Sequence, residues 1–71
     1  MNTETIGYNA GTIWVALNTA DAVGVKQLKK MTKLKEKEVY TALGWLAREN
    51  KITIDVDPED SKELIVTLVK E

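Results

Sequence analysis

The sequence predicts an α+β fold in which three helices precede a two-stranded hairpin. Three stretches with apolar residues at helical spacing come first, and two stretches in which apolar and polar residues alternate follow them. With 71 residues, the chain is long enough for one domain only, residues 1–71. Its contents of 44% hydrophobic and 30% charged residues are those of ordinary globular domains, so we expect it to fold around a core of its own.

The first predicted helix covers about residues 5–18. Its buried face is marked by apolar residues at helical spacing: Ile6, Ala10, Ile13, Trp14 and Leu17. Thr3 or Thr5 can serve as the N-cap. Gly7 and Gly11 lie one turn apart inside this helix, and each weakens it by about 1 kcal/mol relative to alanine. We therefore expect a neighbouring backbone to pack closely there.

The second and third predicted helices are joined by a short turn. The second covers about residues 25–31 with Gly24 as its N-cap, and a short extra strand can form before it near Ala22-Val23. The third covers about residues 36–49, and Asn50 tolerates the left-handed conformation that ends helices. Its apolar residues recur at helical spacing: Val39, Leu43 and Leu46.

The predicted hairpin covers about residues 52–69. Ile52, Ile54 and Val56 alternate with polar residues in its first strand, whereas its second strand, residues 64–69, is mostly apolar on both faces. Residues 58–61 supply the turn. A helix-turn-helix over residues 24–49 followed directly by a hairpin is the order of elements in a winged helix.

Several segments also resemble known proteins. The residues concerned are Val25 to Leu34, VKQLKKMTKL, then Val39, Ala42-Leu43 and Trp45 to Ile52. They resemble bacterial winged helix-turn-helix regulators, and with Ile6-Gly7 and Ala10 to Trp14 the likeness extends to a small stand-alone bacterial winged-helix family of unestablished function. This resemblance covers nearly the whole chain and implies fold more than activity. Lys33 and Lys35 depart from the regulator pattern, which commonly has glycine at the first position and a serine or threonine cap at the second.

A basic segment lies in the helix-turn-helix. The twelve positions from Lys26 to Lys37 hold six of the ten basic residues and one acid, Glu36. We expect double-stranded DNA to bind along the third helix, with Lys37 and Thr41 reaching bases while Lys33 and Lys35 meet phosphates. The full set of predicted contacts is Lys26, Lys29, Lys30, Lys33, Lys35, Lys37, Tyr40, Thr41 and Arg48.

The hairpin has the opposite charge. Its acids outnumber its one lysine, Lys62: they are Asp55, Asp57, Glu59, Asp60 and Glu63. This charge repels phosphates, so we do not expect the hairpin to enter a minor groove. Because lysines on a helix face are often merely solvated, an alternative is a protein–protein interaction module on the same scaffold without DNA binding.

Trp45 projects away from the apolar face of the third helix. It can pack against the first helix or the hairpin of its own chain, or it can lie in an interface between two copies. More apolar side chains lie off the predicted core than a chain of this size usually exposes, which favours a homodimer. The interface residues predicted for it are Tyr8, Val15, Trp45, Ile65 and Val69.

Composition argues against an enzyme. The chain has neither cysteine nor histidine, which excludes disulfides and cysteine-containing zinc sites and removes the commonest general base. Its four glycines form no phosphate-binding string, so we expect no catalytic residue, cofactor, metal or small-molecule ligand. We find no signal peptide and no apolar run as long as a membrane span, and therefore expect a cytoplasmic protein without a membrane partner.

Overall fold

The computed structural model describes residues 1–69 as three helices and three strands. In chain order they are α1 (Thr3–Leu17), β1 (Ala22–Gly24), α2 (Val25–Thr32), α3 (Glu36–Arg48), β2 (Ile52–Asp57) and β3 (Asp60–Leu68). The predicted α+β winged helix is confirmed, and so is the extra strand before α2. None of the helices in residues 1–69 is long and apolar enough to cross a membrane.

α1 begins at Thr3 rather than near residue 5, because its N-cap is Asn2. The Asn2 side chain accepts a hydrogen bond from the Thr5 backbone N–H at 2.9 Å, and the Thr5 hydroxyl oxygen accepts one from the Asn2 N–H at 2.9 Å. This reciprocal pair is a capping box, which satisfies two N–H groups that no helical carbonyl can reach. The prediction that Thr3 or Thr5 is the N-cap was wrong, since Thr5 is the third helical residue of the box.

The sheet is antiparallel with the strand order β1-β3-β2. Val66 of β3 lies opposite Val23 of β1 and opposite Ile54 of β2. β3 is thus the central strand, Val66 is fully buried against the helices, and Ile65 lies on the other face of the sheet because successive side chains alternate. The predicted pairing of the two hairpin strands extends from Ile52↔Leu68 to Val56↔Leu64, and the register shifts after Val56.

The core lies between the three helices and the inner face of the sheet. It comprises Ala10, Ile13, Leu17, Val23, Val25, Leu28, Val39, Ala42, Leu43, Leu46, Ile52 and Val66. Trp14, predicted to belong to it, is 41% exposed. One residue along a helix is a rotation of about 100°, so with Ile13 and Leu17 at the centre of the buried face, Trp14 points to its side. The Lys51 ammonium lies over the face of this ring, 5.8 Å from its centroid, as in a cation–π contact.

Candidate nucleic-acid interface

The turn between α2 and α3 is shaped by Lys33 in the left-handed conformation, with φ 61° and ψ 19°. Its N–H donates a hydrogen bond to the Lys29 carbonyl at 2.8 Å, and Leu34 behind it packs against the core. Glycine is the usual residue in such a conformation because it has no Cβ. Lys33 therefore stands at a position suited to glycine, and its side chain extends from the turn into solvent.

Lys35 is the N-cap of α3. Its N–H donates to the Glu38 carboxylate at 2.8 Å, which is one half of a capping box. The other half requires an oxygen on the N-cap side chain, and a lysine ammonium has no acceptor. The Lys35 side chain therefore contributes nothing to the cap and remains exposed.

The outer face of α3 lies opposite its buried residues and carries Lys37, Gly44 and Arg48. Within residues 1–69, no atom beyond the adjoining part of α3 comes within 4 Å of a Cβ built on Gly44, so this face is open in the middle. Thr41 lies beside it but is half-buried: its hydroxyl is within 2.9 Å of the Lys37 carbonyl and 3.4 Å of the Met1 sulfur. Tyr40, on the flank of the helix, is 40% exposed.

The six lysines of the basic segment fall into two groups. Lys26 lies 3.8 Å from the Asp60 carboxylate, and Lys29 lies 3.9 Å from that of Glu36. In the part of the chain that the structure describes, no carboxylate oxygen lies within 4.0 Å of the other four ammonium groups. We call these four the basic turn: Lys30, Lys33, Lys35 and Lys37.

Two acids of the hairpin contact α2, a role that sequence reasoning missed. Asp60 forms the ion pair with Lys26, and the Glu63 carboxylate accepts a hydrogen bond from the Lys26 backbone N–H at 3.2 Å. The N-cap of α2, Gly24, has no side chain to accept this N–H. A glycine N-cap leaves room for an acceptor from elsewhere in the chain, but the sequence does not say which residue supplies it.

Trp45 packs against α1 of its own chain, one of the alternatives considered for it. Its ring lies 3.5 Å from where a Cβ on Gly7 would be, and its indole N–H donates to the Glu49 carboxylate at 2.9 Å. The expectation of a backbone neighbour at the two glycines of α1 was therefore wrong. The neighbour of Gly7 is a tryptophan ring, and among residues 1–69 nothing beyond the adjoining part of α1 lies within 4 Å of the Cβ position of Gly11. Trp45 fills the gap because it projects from the side of α3 that packs on α1.

The residues predicted for a dimer interface lie on several surfaces. Tyr8 and Val15 are on the outer face of α1, where they are 77% and 61% exposed, and Trp45 is 38% exposed beside Gly7. The other two residues lie elsewhere: Ile65 on the outer face of the sheet and Val69 after the end of β3. The outer face of α1 and the outer face of the sheet are separated by the core, so one flat contact cannot include both.

Comparisons with known proteins agree with this architecture. A family model described as a winged helix-turn-helix domain (DUF2582) matches residues 1–68. The solution NMR structure of a Bacteroides thetaiotaomicron protein is 34% identical with a TM-score of 0.81, covering 96% of this chain and 79% of that one. The crystal structure of a probable transcriptional regulator from Pseudomonas aeruginosa is 21% identical with a TM-score of 0.77, covering 86% of this chain and 46% of that one, and so shows likeness of fold alone. No curated protein matches the chain.

Proposed function

We propose, from the premise that this chain belongs to the winged helix-turn-helix family DUF2582, that it binds double-stranded DNA through α3 and the basic turn and acts as a transcriptional regulator. The observation that carries the proposal is the basic turn itself. Its four ammonium groups have no carboxylate within 4.0 Å among residues 1–69, although acids make up 11 of the 71 residues of the chain. Unpaired cations beside an open helix face are what a phosphate backbone requires.

The proposed contacts divide between backbone and bases. Lys33 and Lys35 precede α3 and meet phosphates, which fixes the position of the helix on the duplex. Lys37 and Arg48 on the outer face of α3 point into the major groove, whose width of about 12 Å admits a helix. Gly44 between them lets the helix approach closely, since its surface is open. The Thr41 hydroxyl is less available for a hydrogen bond to a base than predicted, because it already donates one to the Lys37 carbonyl.

The hairpin takes no part in the proposed contact. Asp55, Asp57 and Glu59 leave it negatively charged near its tip, which opposes entry into a minor groove. Lys26 is also left out of the proposed contact, since Asp60 already pairs with it. DNA binding then depends on α3 and on the basic turn beside its N-terminus. We expect such a contact to be weaker, with a shallower salt dependence, than one in which a basic hairpin also contacts the duplex.

The test is a titration of a labelled mixed-sequence duplex with the full chain at several salt concentrations. Neutralising the two phosphates that Lys33 and Lys35 meet gives a slope of roughly −1.8 for the logarithm of the association constant against the logarithm of salt concentration. Lys35→Glu/Lys37→Glu should abolish binding. The control Lys51→Glu/Lys62→Glu makes the same change of net charge away from the basic turn and should retain most of it. Absence of binding at low salt, or equal loss in both double variants, contradicts the proposal.

A regulator must also prefer some sequences. Selection from a random duplex library with the unmodified chain should enrich one motif, and the same selection with Lys37→Ala should enrich it less, because Lys37 is the proposed contact to a base. If no motif were enriched, the chain would bind DNA without sequence preference. That result would contradict the proposed role in regulation.

A second candidate function is docking of a basic protein segment on β2. This strand lies at the edge of the sheet, and Ile54 and Val56 are 37% and 58% exposed on it. Asp55 and Asp57 alternate with them, so an extended segment with lysines between apolar residues would match the strand in both charge and spacing. An NMR titration with a short peptide of alternating valine and lysine tests this. Shifts confined to β2 support docking, and the absence of shifts contradicts it.

A further inference from the structure

The outer face of α1 carries an exposed apolar stripe that the single chain does not use. We define the α1 stripe as Tyr8, Gly11 and Val15, with Tyr8 and Val15 77% and 61% exposed. We propose that a second copy of this chain covers the α1 stripe, with the two α1 helices antiparallel about a two-fold axis between Gly11 and Thr12. This inference goes beyond DNA binding and does not depend on it.

The order of residues in the stripe is self-complementary. Tyr8 precedes Gly11 by three residues and Val15 follows it by four, which is the spacing of a helix seam. In an antiparallel pair about the proposed axis, Tyr8 of each copy lies against Val15 of the other, as an isologous contact requires. Glu4, the acidic residue nearest the stripe on α1, then faces Thr19 of the second copy rather than another charge.

Packing within one chain does not explain why α1 has a glycine at position 11. A glycine inside a helix weakens it, and Gly7 has a compensating contact because the Trp45 ring lies over it. In the described part of the chain, a Cβ at Gly11 would meet nothing within 4 Å apart from the adjoining part of α1. A second helix crossing there would explain the glycine, since the absence of a side chain lets two helix axes approach to about 8 Å.

The exposed area suits a weak dimer. An aromatic side chain offers about 150–250 Å², and Trp14 and Trp45, 41% and 38% exposed, line the shallow groove that borders Gly11. With the stripe they provide roughly 400 Å² of apolar surface per copy. A pair of copies would then bury roughly 800–1,000 Å², which is less than stable interfaces bury and is typical of weak, transient ones, so we expect reversible association at micromolar or higher concentrations.

Charge favours α1 over the exposed apolar residues of β2 as the place for a second copy. Val56 on β2 is 58% exposed, almost the same as Val15, but Asp55 and Asp57 adjoin it. Two copies meeting there would bring like charges together, which disfavours self-association at a strand edge. The α1 stripe has no charged residue between its ends.

Sedimentation equilibrium of the full chain without nucleic acid, from about 10 µM to about 1 mM, tests the proposal. We expect a monomer–dimer equilibrium. Val15→Lys should raise the dissociation constant at least about tenfold, because the change occurs twice in the dimer. Val56→Lys, a change at an equally exposed valine, should leave it within about twofold. A monomer at all concentrations, or equal effects of the two variants, would overturn the inference.

Two further variants separate the contact from folding. Gly11→Gln should raise the Tm by about 3–6 °C, since glutamine favours a helix, while raising the dissociation constant about tenfold or more. In the antiparallel geometry, Tyr8→Lys/Val15→Glu places an ammonium against a carboxylate twice and should restore part of the association that each single change removes. Undiminished association of Gly11→Gln, or no recovery in the double variant, rejects this arrangement.

Discussion

The carboxylate of Glu63 on β3 accepts a hydrogen bond from the backbone N–H of Lys26 at 3.2 Å, although the two residues are 37 positions apart. Lys26 is the second residue of α2, whose glycine N-cap offers no side-chain acceptor. The negative charge of Glu63 also lies at the positive end of the helix dipole. The hairpin thus supplies the cap of α2, which ties its strands to the helix-turn-helix.

Replacing Glu63 should therefore weaken the whole domain. Glu63→Ala is expected to lower the free energy of unfolding by about 1 kcal/mol, the usual cost of a lost N-cap. Glu63→Gln retains an acceptor oxygen and should cost less. Urea denaturation followed by circular dichroism measures both. Glu59→Ala in the exposed hairpin turn is the control and should change stability by less than about 0.5 kcal/mol; an equal loss there would refute a capping role.

The two glycines of α1 should respond differently to large side chains. Gly11→Ala is expected to raise the free energy of unfolding by about 1 kcal/mol, since no other element in the described residues comes within 4 Å of its Cβ position. Gly7→Ala should also be tolerated, because a Cβ 3.5 Å from the Trp45 ring is an ordinary contact. Gly7→Leu should displace the ring and be less stable than Gly11→Leu by about 1–3 kcal/mol. Denaturation at low micromolar concentration measures each, and similar stabilities of the two leucine variants would argue against the observed packing.

The left-handed conformation of Lys33 predicts a stabilising substitution. Lys33→Gly should raise the free energy of unfolding by about 0.5–1 kcal/mol, since glycine adopts a φ of 61° without a Cβ penalty. Lys30→Gly, the same replacement inside α2, should instead lower it by about 1 kcal/mol. Thermal denaturation of the pair measures the difference, and changes of the same sign would be inconsistent with this turn geometry.

Lys35 should show opposite effects on stability and on DNA affinity. Lys35→Ser supplies the oxygen that the N-cap of α3 lacks, so we expect about 1 kcal/mol of added stability. It also removes one proposed phosphate contact, which should make the salt slope of DNA binding shallower by roughly 0.9. Denaturation and a salt-dependent DNA titration of the same preparation give both values. A stabilised variant with an unchanged slope would remove Lys35 from the proposed interface.

Much of the candidate site followed from local sequence. The lysines are adjacent in the chain, and the outer face of α3 is defined by its own periodicity, so the helical spacing alone is enough to place Lys37 and Arg48 on that face. The pairing of Lys26 could not be predicted. It depends on Asp60, which reaches Lys26 only because the hairpin folds back beside α2.

The sequence by itself determined the order of helices and strands, because spacings of 3.6 and 2 residues record which side of each element is buried. It also indicated where α3 stops, because Asn50, two residues after Arg48, adopts the left-handed conformation with a φ of 59°, and that tolerance is a property of one residue. Only the tertiary structure decided that Trp45 lies over Gly7 while Trp14 is partly exposed, and that Glu63 caps α2. These contacts join residues far apart in the chain, and their geometry follows from how the packed elements cross, which local periodicity does not specify.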